Sequence, residues 1–254
     1  MPQLLARKYE QFIGLADDDR AALQHLADSP ARTARARTDI IREGEQPRGA
    51  MLILDGWASL YKTLEDGRRQ MLAMLLPGDL CELNASMLRE MDHSLGTITA
   101  LTYVELPAPV MEALAIDHPR IASALTWDLL VAAAIQREWT LNLGQRSALE
   151  RIAHLICEMF VRLNAVGLTQ AGGFDCPLTQ TDLAEATGMT PVHVNRTLQD
   201  LRARRLIEWR GRSVVILRWQ DLCSAAMFSP NYLHIERSED HPGVGGQQSM
   251  ERST

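Results

Sequence analysis

Arginine side chains are concentrated in one stretch of an otherwise acidic sequence. Residues 189–218 contain two acids, Asp200 and Glu208, against seven arginines at positions 196, 202, 204, 205, 210, 212 and 218, a local charge of +5. The 254-residue chain as a whole carries a formal net charge of −6. A guanidinium group binds phosphate oxygens through paired hydrogen bonds. A basic island in an acidic protein is typical of a face that meets nucleic acid, although a solvated arginine-rich helix face would show the same local charge.

The side-chain patterns of enzymes and metal sites are absent from the sequence. It has no nucleophile elbow, phosphate-binding loop or paired-carboxylate motif, so we expect no catalytic residues and no enzymatic activity. The cysteines lie far apart without a C-x-x-C pair, and the seven histidines are dispersed. We therefore expect no metal site, and reduced thiols at Cys81, Cys157, Cys176 and Cys223.

Length and composition indicate a globular protein of one or two domains. Apolar residues make up 46% of the chain and charged residues 23%. The longest apolar runs, such as Leu129–Ile135, are far shorter than the roughly 20 residues that a membrane helix needs. The N-terminus lacks the pattern of a secretory signal. We expect a cytoplasmic protein that has no membrane partner.

The segment Leu178–Leu198 has the pattern of a helix-turn-helix. Thr179 can cap a first helix, with Asp182 three positions on, in a variant of the capping box. Gly188 supplies the tight turn, and Thr190-Pro191 begins a second helix with proline at its first position. The pattern predicts that the inward face of this second helix is formed by Val194, Leu198 and Leu201.

Two short β runs follow, on either side of an Arg-Gly-Arg sequence. They lie within Leu206–Leu217 and predict a hairpin, or wing, beside the helix-turn-helix. The stretch before the helix-turn-helix, Asn164–Cys176, holds three glycines and is predicted as a loop.

The region from Asp39 to about Leu106 alternates short apolar runs with turn residues. The turns include Asp55-Gly56, Asp66-Gly67 and Pro77-Gly78-Asp79. Short runs at this spacing, separated by Asp-Gly turns, predict an antiparallel sandwich or barrel, and Asp66-Gly67 marks the clearest hairpin.

From about Pro119 the apolar period becomes helical. Apolar positions recur at alternating spacings of three and four, as in the a/d stripe of a coiled coil. This predicts a dimerisation helix over residues 119–144, with Gly144 as its break, and a further helix from Ser147 to about Leu163. We expect the dimer interface to be formed by Leu125, Leu129, Ala132, Gln136, Trp139 and Leu143.

A strand sandwich, a long helix, a helix-turn-helix and a wing, in this order, resemble the Crp/Fnr family of bacterial transcription regulators. The similarity runs from about residue 10 to residue 220. Its most specific pieces are Leu52–Gly56, Asp66–Arg69, Pro77–Asp79 and Leu178–Leu217. The resemblance implies an α+β fold with an N-terminal antiparallel β-sandwich or jelly-roll domain of the cyclic-nucleotide-binding type, a dimerisation helix and a C-terminal winged helix-turn-helix.

The same resemblance divides the chain into four parts and implies its partners. We expect an effector-sensing domain at residues 1–118, the dimerisation helix at 119–144, a DNA-binding domain at 145–220, and a C-terminal extension at 221–254 that is disordered from about 238. Family members are homodimers that bind double-stranded DNA at pseudo-palindromic sites. The loop Gly167–Asp175 follows the second helix, as the loop that touches RNA polymerase does in relatives.

The resemblance also assigns roles to polar residues of the helix-turn-helix. Arg196 matches the family's base-contacting arginine, and a guanidinium can bridge guanine O6 and N7. Val192 stands where members commonly carry a glutamate that accepts from cytosine, so we expect a different half-site. Asn195 would pair with adenine or hold a phosphate, and the arginines around it suit phosphates. The predicted DNA-binding residues are Thr179, Thr190, His193, Asn195, Arg196, Gln199, Arg202, Arg210 and Arg212.

For the effector, the resemblance is less complete. Cyclic-AMP-binding members hold the ribose and the cyclic phosphate with a Gly-Glu turn and an Arg-Ser pair, where this sequence has Cys81-Glu82 and His93-Ser94. A mostly neutral imidazole does not replace a guanidinium, which disfavours cyclic AMP, although Arg89 is close enough to substitute. Gln136 would contact an effector or only fix the helix register. The predicted effector-binding residues are Glu82, Arg89, His93, Ser94 and Gln136, for an unidentified small molecule and no assigned cofactor.

Two functions fit these patterns. The first is a DNA-binding transcription regulator modulated by a small effector. The second is a small-molecule-binding regulatory subunit that acts through protein partners. The +5 island and the Arg-Gly-Arg hairpin favour the first, because a subunit that binds only protein needs neither.

Overall fold

Two antiparallel sheets form the N-terminal half of the protein. A computed structural model describes residues 3–83 and 87–235. The strands are β1 Ala31–Ala34, β2 Asp39–Ile41, β3 Ala50–Asp55, β4 Ala58–Thr63, β5 Arg69–Leu75, β6 Leu80–Cys81, β7 Ser94–Thr97 and β8 Leu101–Leu106. One four-stranded sheet has the order β1-β8-β3-β6, and the other has the order β2-β7-β4-β5. Apolar side chains between the sheets, including Ile53, Leu95 and Tyr103, form a core of their own.

Glycines at two turns set the path of these strands. The predicted hairpin at Asp66-Gly67 is confirmed, since β4 and β5 pair from Thr63 opposite Arg69 onward, and Gly67 has a φ of +84°. Gly56, with a φ of +85°, lies so close to the loop between β7 and β8 that a Cβ would be 2.1 Å from the carbonyl oxygen of Ala100. Only glycine fits both the backbone angle and the space.

Helices flank the sandwich on both sides in sequence. They are α1 Leu4–Glu10, α2 Asp17–Ala27, α3 Ala108–Asp117 and α4 Pro119–Gln145. The helix α4 continues through Gly144, where the sequence predicted a break, because a glycine weakens a helix without forcing it to end. The chain turns one residue after α4, where Arg146 is extended. Within the described residues, no helix is long and apolar enough to cross a membrane.

The C-terminal half is a helix-turn-helix with a small sheet beside it. Its elements are α5 Ala148–Ala165, β9 Gly173–Asp175, α6 Gln180–Thr187, α7 Pro191–Ala203, β10 Ile207–Arg210, β11 Ser213–Ile216, α8 Trp219–Ala226 and a 3₁₀ turn at Pro230–Leu233. The prediction of a loop over Asn164–Cys176 is wrong at β9, which pairs with β11 through Phe174 opposite Val214. Phe174 is buried, and this burial outweighs the local glycines. The predicted disorder from about 238 lies outside the described residues.

Candidate DNA-binding surface and effector region

Side-chain caps fix the two helices of the helix-turn-helix. Thr179 Oγ1 accepts a hydrogen bond from the backbone N–H of Asp182, and Asp182 Oδ2 accepts one at 2.7 Å from the backbone N–H of Thr179. Gly188 ends α6 with a φ of +65°, and Thr190 Oγ1 then caps α7 by accepting from the N–H of His193. The predicted capping box and turn are confirmed, and the hydroxyls of Thr179 and Thr190 serve these caps.

The helix α7 has one buried and one exposed face. Its buried residues are Val194, Thr197, Leu198 and Leu201. Predicted DNA contacts lie on the other side, where His193, Arg196, Gln199 and Arg202 are exposed and Asn195 is half-buried. Val192 is 73% exposed near the start of the helix. The structure therefore brings the predicted α7 residues onto one surface.

The arginines of this surface differ in what they contact. Arg196 makes no hydrogen bond or ion pair with any described residue. Arg202 Nε donates to the carbonyl oxygen of Leu198 at 3.1 Å. On the β10–β11 wing, Arg212 Nη2 lies 2.7 Å from Asp175 Oδ2, whereas Arg210 is 3.5 Å from Glu208. Arg196 is thus free to form new paired hydrogen bonds, which Arg212 can do only by exchanging its partner.

Two ion pairs hold α6 against the sandwich. Arg37, which precedes β2, contacts both carboxylate oxygens of Asp182, with Nη2 2.7 Å from Oδ2. Arg69 Nε lies 3.3 Å from Glu185 Oε2, and its guanidinium stacks on the ring of Tyr61. Burial opposes ionisation of Asp182, but Arg37 and the Thr179 cap lower the pKa of this carboxyl below its usual range. The first helix of the helix-turn-helix is therefore fixed to the β-sandwich.

The predicted effector residues divide into two groups. Glu82 Oε1 lies 3.0 Å from His93 Nε2, and His93 Nδ1 lies 2.7 Å from Asp92 Oδ1. The hydrogen bond to Glu82 raises the pKa of His93, despite partial burial. Ser94 Oγ accepts from the backbone N–H of Glu43 at 3.0 Å. His93 is therefore held between two carboxylates, and Ser94 is bonded separately to the backbone of Glu43.

Within the described residues, no hydrogen bond or ion pair joins Arg89 or Gln136 to the Glu82–His93 pair. Arg89 is exposed and makes no hydrogen bond or ion pair with a described residue. Gln136 Nε2 donates to the carbonyl oxygen of Leu72 at 2.8 Å and so joins α4 to β5.

A cavity of about 500 Å³ lies between the sandwich, α4, α5 and the C-terminal segment. Glu82 and Gln136 line it, but His93, Ser94 and Arg89 do not.

Trp139 does not lie on the exposed face of α4, where the predicted dimer interface would place it. Its side chain is buried in its own chain, and the indole N–H donates to Glu158 of α5 at 3.1 Å. The a/d pattern placed Trp139 outside because it could not distinguish a partner helix from α5. Leu125 and Leu143 are half-buried, whereas Ala132 and Gln136 are exposed. Three large apolar side chains of this helix are exposed, namely Leu129 at 42%, Leu130 at 63% and Leu141 at 46%.

Five charged side chains that no sequence pattern singled out meet between α1, the sandwich, α4 and α5, and we call them the ionic cluster. Lys8 Nζ lies 2.9 Å from Asp79 Oδ1 and 2.7 Å from Asp128 Oδ1. Arg162 Nη2 lies 2.7 Å from Asp79 Oδ2, and its Nη1 lies 3.3 Å from Glu158 Oε1. Burial would raise the pKa of Asp79, but Lys8 and Arg162 lower it below its usual range.

Glu158 anchors the C-terminal segment to the ionic cluster. It is fully buried, and Tyr232 Oη of the 3₁₀ turn donates to its Oε2 at 2.8 Å. Burial raises the pKa of Glu158, against the opposing effect of Arg162. A glutamate inside the apolar run of α5 was the one local signal of this site.

A buried histidine lies beside this anchor. His154 is 1% exposed and packs against the rings of Phe228 and Tyr232. Burial and the positive charge of Arg146 lower the pKa of His154 to about 3, although Glu138 Oε1 lies 3.2 Å from its Nε2. His154 is therefore neutral at physiological pH.

This neutral histidine predicts an acid-sensitive stability. The unfolded side chain has a pKa of about 6.5, so below that pH the unfolded state binds a proton that the folded state does not. We expect this residue to lower the free energy of unfolding as pH falls from about 6.5 to 4.5, by at most about 1.4 kcal/mol per pH unit. Urea unfolding of wild type and His154→Gln at several pH values measures this, and the stability advantage of wild type should shrink with acid. His25→Gln, on exposed α2 surface, is the control, and a pH-independent difference for His154→Gln would contradict the assignment.

Comparisons with known proteins agree with this architecture. The Crp-like helix-turn-helix domain matches residues 150–225, and the cyclic nucleotide-binding domain matches residues 31–118. Transcriptional activator protein FnrL of Cereibacter sphaeroides is 31% identical over 192 residues, covering 73% of this chain and 75% of that protein. Nitrogen fixation regulation protein FixK of Azorhizobium caulinodans is 27% identical over 214 residues, covering 82% and 84%.

A solved structure is similar over most of its length. FixK2 from Bradyrhizobium japonicum superposes with a TM-score of 0.69 at 25% identity, covering 77% of this chain and 96% of that one. The resemblance inferred from sequence and the expected fold class are confirmed. With a cyclic nucleotide-binding domain, a long helix, a Crp-like helix-turn-helix and these relatives, the chain belongs to the Crp/Fnr family of DNA-binding transcription regulators, which are not enzymes.

Proposed function

We propose that this protein is a cytoplasmic homodimer that binds a pseudo-palindromic DNA site through α7 and is modulated by a small effector. The observation that carries the DNA role is the outer face of α7, where the unpaired Arg196 lies between the exposed His193 and Gln199. In a helix-turn-helix, residues near the start of the second helix lie nearest the base edges of the major groove. Val192, also exposed there, suits a thymine methyl group and not a cytosine amine.

Selection of random duplex DNA by the purified protein, without added ligand, tests this function. We expect an enriched inverted repeat whose half-sites lie about one helical turn apart. A steep loss of affinity with salt would show that many phosphates are contacted. If neither ligand-free protein nor protein supplied with bacterial small-molecule extract enriches any sequence, the DNA-binding role is wrong and a regulatory subunit acting on proteins takes its place.

Arg196 should determine one base position in each half-site. We expect Arg196→Ala to lose about 1–3 kcal/mol on the selected site and to relax the preference at that position. Arg202→Ala is the contrasting variant, since loss of a phosphate contact weakens binding to all sequences alike. Fluorescence anisotropy on the selected duplex and on single-base variants measures both effects. An equal loss for Arg196→Ala on selected and random duplexes would exclude base recognition.

The exposed face of α4 supports the proposed dimer. Leu129, Leu130 and Leu141 expose apolar surface on one long helix, with Ala132 and Ala133 also exposed between them. Contiguous exposed apolar surface commonly marks a protein–protein interface. A second copy of the same helix would bury this surface in a two-fold symmetric contact.

The effector and the transcription machinery would meet different parts of the molecule. The Glu82–His93 pair offers no unpaired cation to a cyclic phosphate, which supports an effector other than cyclic AMP. The segment Gly167–Asp175 is our candidate for contact with RNA polymerase, because Gln170 and Ala171 are exposed at the turn that leads into β9.

A further inference from the structure

The cavity between the two domains has largely apolar walls. The sandwich contributes Leu60 and Met74, α4 contributes Val131 and Ile135, and the C-terminal segment contributes Leu233 and Ile235. Its volume of about 500 Å³ lies within the range of about 300–1,000 Å³ that is usual for small-molecule sites. A small organic molecule could therefore enter it without rearrangement of the fold.

The charged groups on the cavity wall are already paired. Lys8 contacts Asp79 and Asp128, and Arg162 contacts Asp79 together with the carbonyl oxygen of Met74. Glu82, the remaining charged group, lies against His93. Among the described residues, the wall therefore offers no unpaired cation, because Lys8 and Arg162 each face a carboxylate and Glu82 faces His93. An anion would enter a largely apolar space without a partner cation, which is costly.

One neutral donor on the wall has no partner. Trp127 lines the cavity and stacks on Phe12, with ring centroids 5.2 Å apart. Its indole N–H is buried and makes no hydrogen bond with any described residue. An unsatisfied buried donor is unfavourable, and an uncharged acceptor on a ligand would relieve it.

We propose that this cavity binds an uncharged, largely apolar small molecule and excludes nucleotides and other anions. The proposal deepens the proposed regulation by a small effector and rests on it for its biological role. Leu129 and Gln136 line the cavity and also belong to the exposed face of α4. An occupant would therefore contact the proposed dimer surface and the ionic cluster together.

Two dyes that differ by one charged group test the ligand class. N-phenyl-1-naphthylamine is neutral, and 8-anilinonaphthalene-1-sulfonate has the same aromatic skeleton with a sulfonate. Titrated into the full-length, DNA-free protein, the neutral dye should bind once per chain and at least about tenfold more tightly than the sulfonate. Millimolar cyclic AMP should not displace it. Equal or tighter binding of the sulfonate, or no saturable binding of the neutral dye, would overturn the proposal.

Two substitutions that fill the cavity from different walls test whether the dye binds there. Ala165→Phe at the end of α5 and Ala73→Phe on β5 should each weaken the neutral dye by about tenfold or more. Ala21→Phe, on the exposed surface of α2 and outside the cavity lining, should leave binding unchanged. Circular dichroism checks that each variant is folded, and a folded pair of cavity variants with unchanged affinity would place the dye elsewhere and refute the site.

These titrations separate the ligand from the DNA role. Dye binding in the cavity together with failed DNA selection would support the proposed ligand site and contradict the proposed DNA-binding function. Successful DNA selection with no dye binding would support the proposed DNA-binding function and overturn the proposed ligand site.

Discussion

Replacing Arg162 with methionine is expected to lower the free energy of unfolding by about 3–5 kcal/mol, the usual cost of removing one partner from a buried ion pair. Its guanidinium lies between Asp79 and Glu158, and the side chain is only 12% exposed. Without it, the carboxyl groups of Asp79, Asp128 and Glu158 remain with Lys8 as the sole cation of the ionic cluster. Urea unfolding followed by circular dichroism measures the loss.

A surface ion pair provides the control for this variant. Arg32 lies 2.9 Å from Glu105, but its side chain is 57% exposed. Arg32→Met should therefore change stability by less than about 1 kcal/mol. Adding Glu158→Gln to Arg162→Met should restore part of the lost stability, because it removes one unpaired charge and keeps a hydrogen-bond acceptor for Tyr232. Similar losses for Arg162→Met and Arg32→Met would show that the ionic cluster does not support the fold.

The double variant Leu129→Asp with Leu130→Asp should convert the proposed dimer to a monomer. Both leucines are exposed on α4 in the single chain, so their replacement leaves the monomer core intact. Charges facing each other across a two-fold contact oppose association. Since linking two DNA contacts raises affinity by about 10²–10⁴, we expect a loss of that size on a two-half-site duplex.

Sedimentation velocity and DNA anisotropy measure the two effects of this double variant. Leu64→Asp is the matched control, because Leu64 is a 55% exposed leucine at the β4–β5 hairpin, away from α4. It should stay dimeric and bind normally. A double variant that sediments like wild type would show that the chains associate through another surface.

Helix caps and tight turns were the parts of the fold that the sequence predicted best. The Thr179 cap, the Gly188 turn and the proline that begins α7 are all set by neighbouring residues, and the structure has each of them. The Asp66-Gly67 hairpin is predictable for the same reason. In contrast, β1 has the sequence ARTA, which carries no strand pattern, and forms only because β8 offers it an edge.

Features that depend on distant residues could not be predicted. A stripe of apolar residues indicates that a helix has a buried face, but it does not indicate which neighbour covers that face. The stripe on α4 therefore predicted that Trp139 contacts a second chain, whereas its side chain lies against α5. The ionic cluster joins Lys8 to Asp128 and Arg162 across more than half of the chain. No spacing rule relates such positions, although an isolated Glu158 in an apolar helix face signals a buried partner.

The contact between Arg37 and Asp182 has a consequence for how this regulator can change over evolution. Asp182 both caps α6 through Thr179 and holds the β-sandwich through Arg37. A substitution at Asp182 therefore alters helix stability and domain placement in one step. A substitution at Arg37 removes one contact with the β-sandwich and leaves the Thr179 cap intact, because Arg37 takes no part in the cap. Mutation on the sandwich side can thus change how the β-sandwich is oriented relative to the helix-turn-helix, while the helix-turn-helix keeps its own capping contacts.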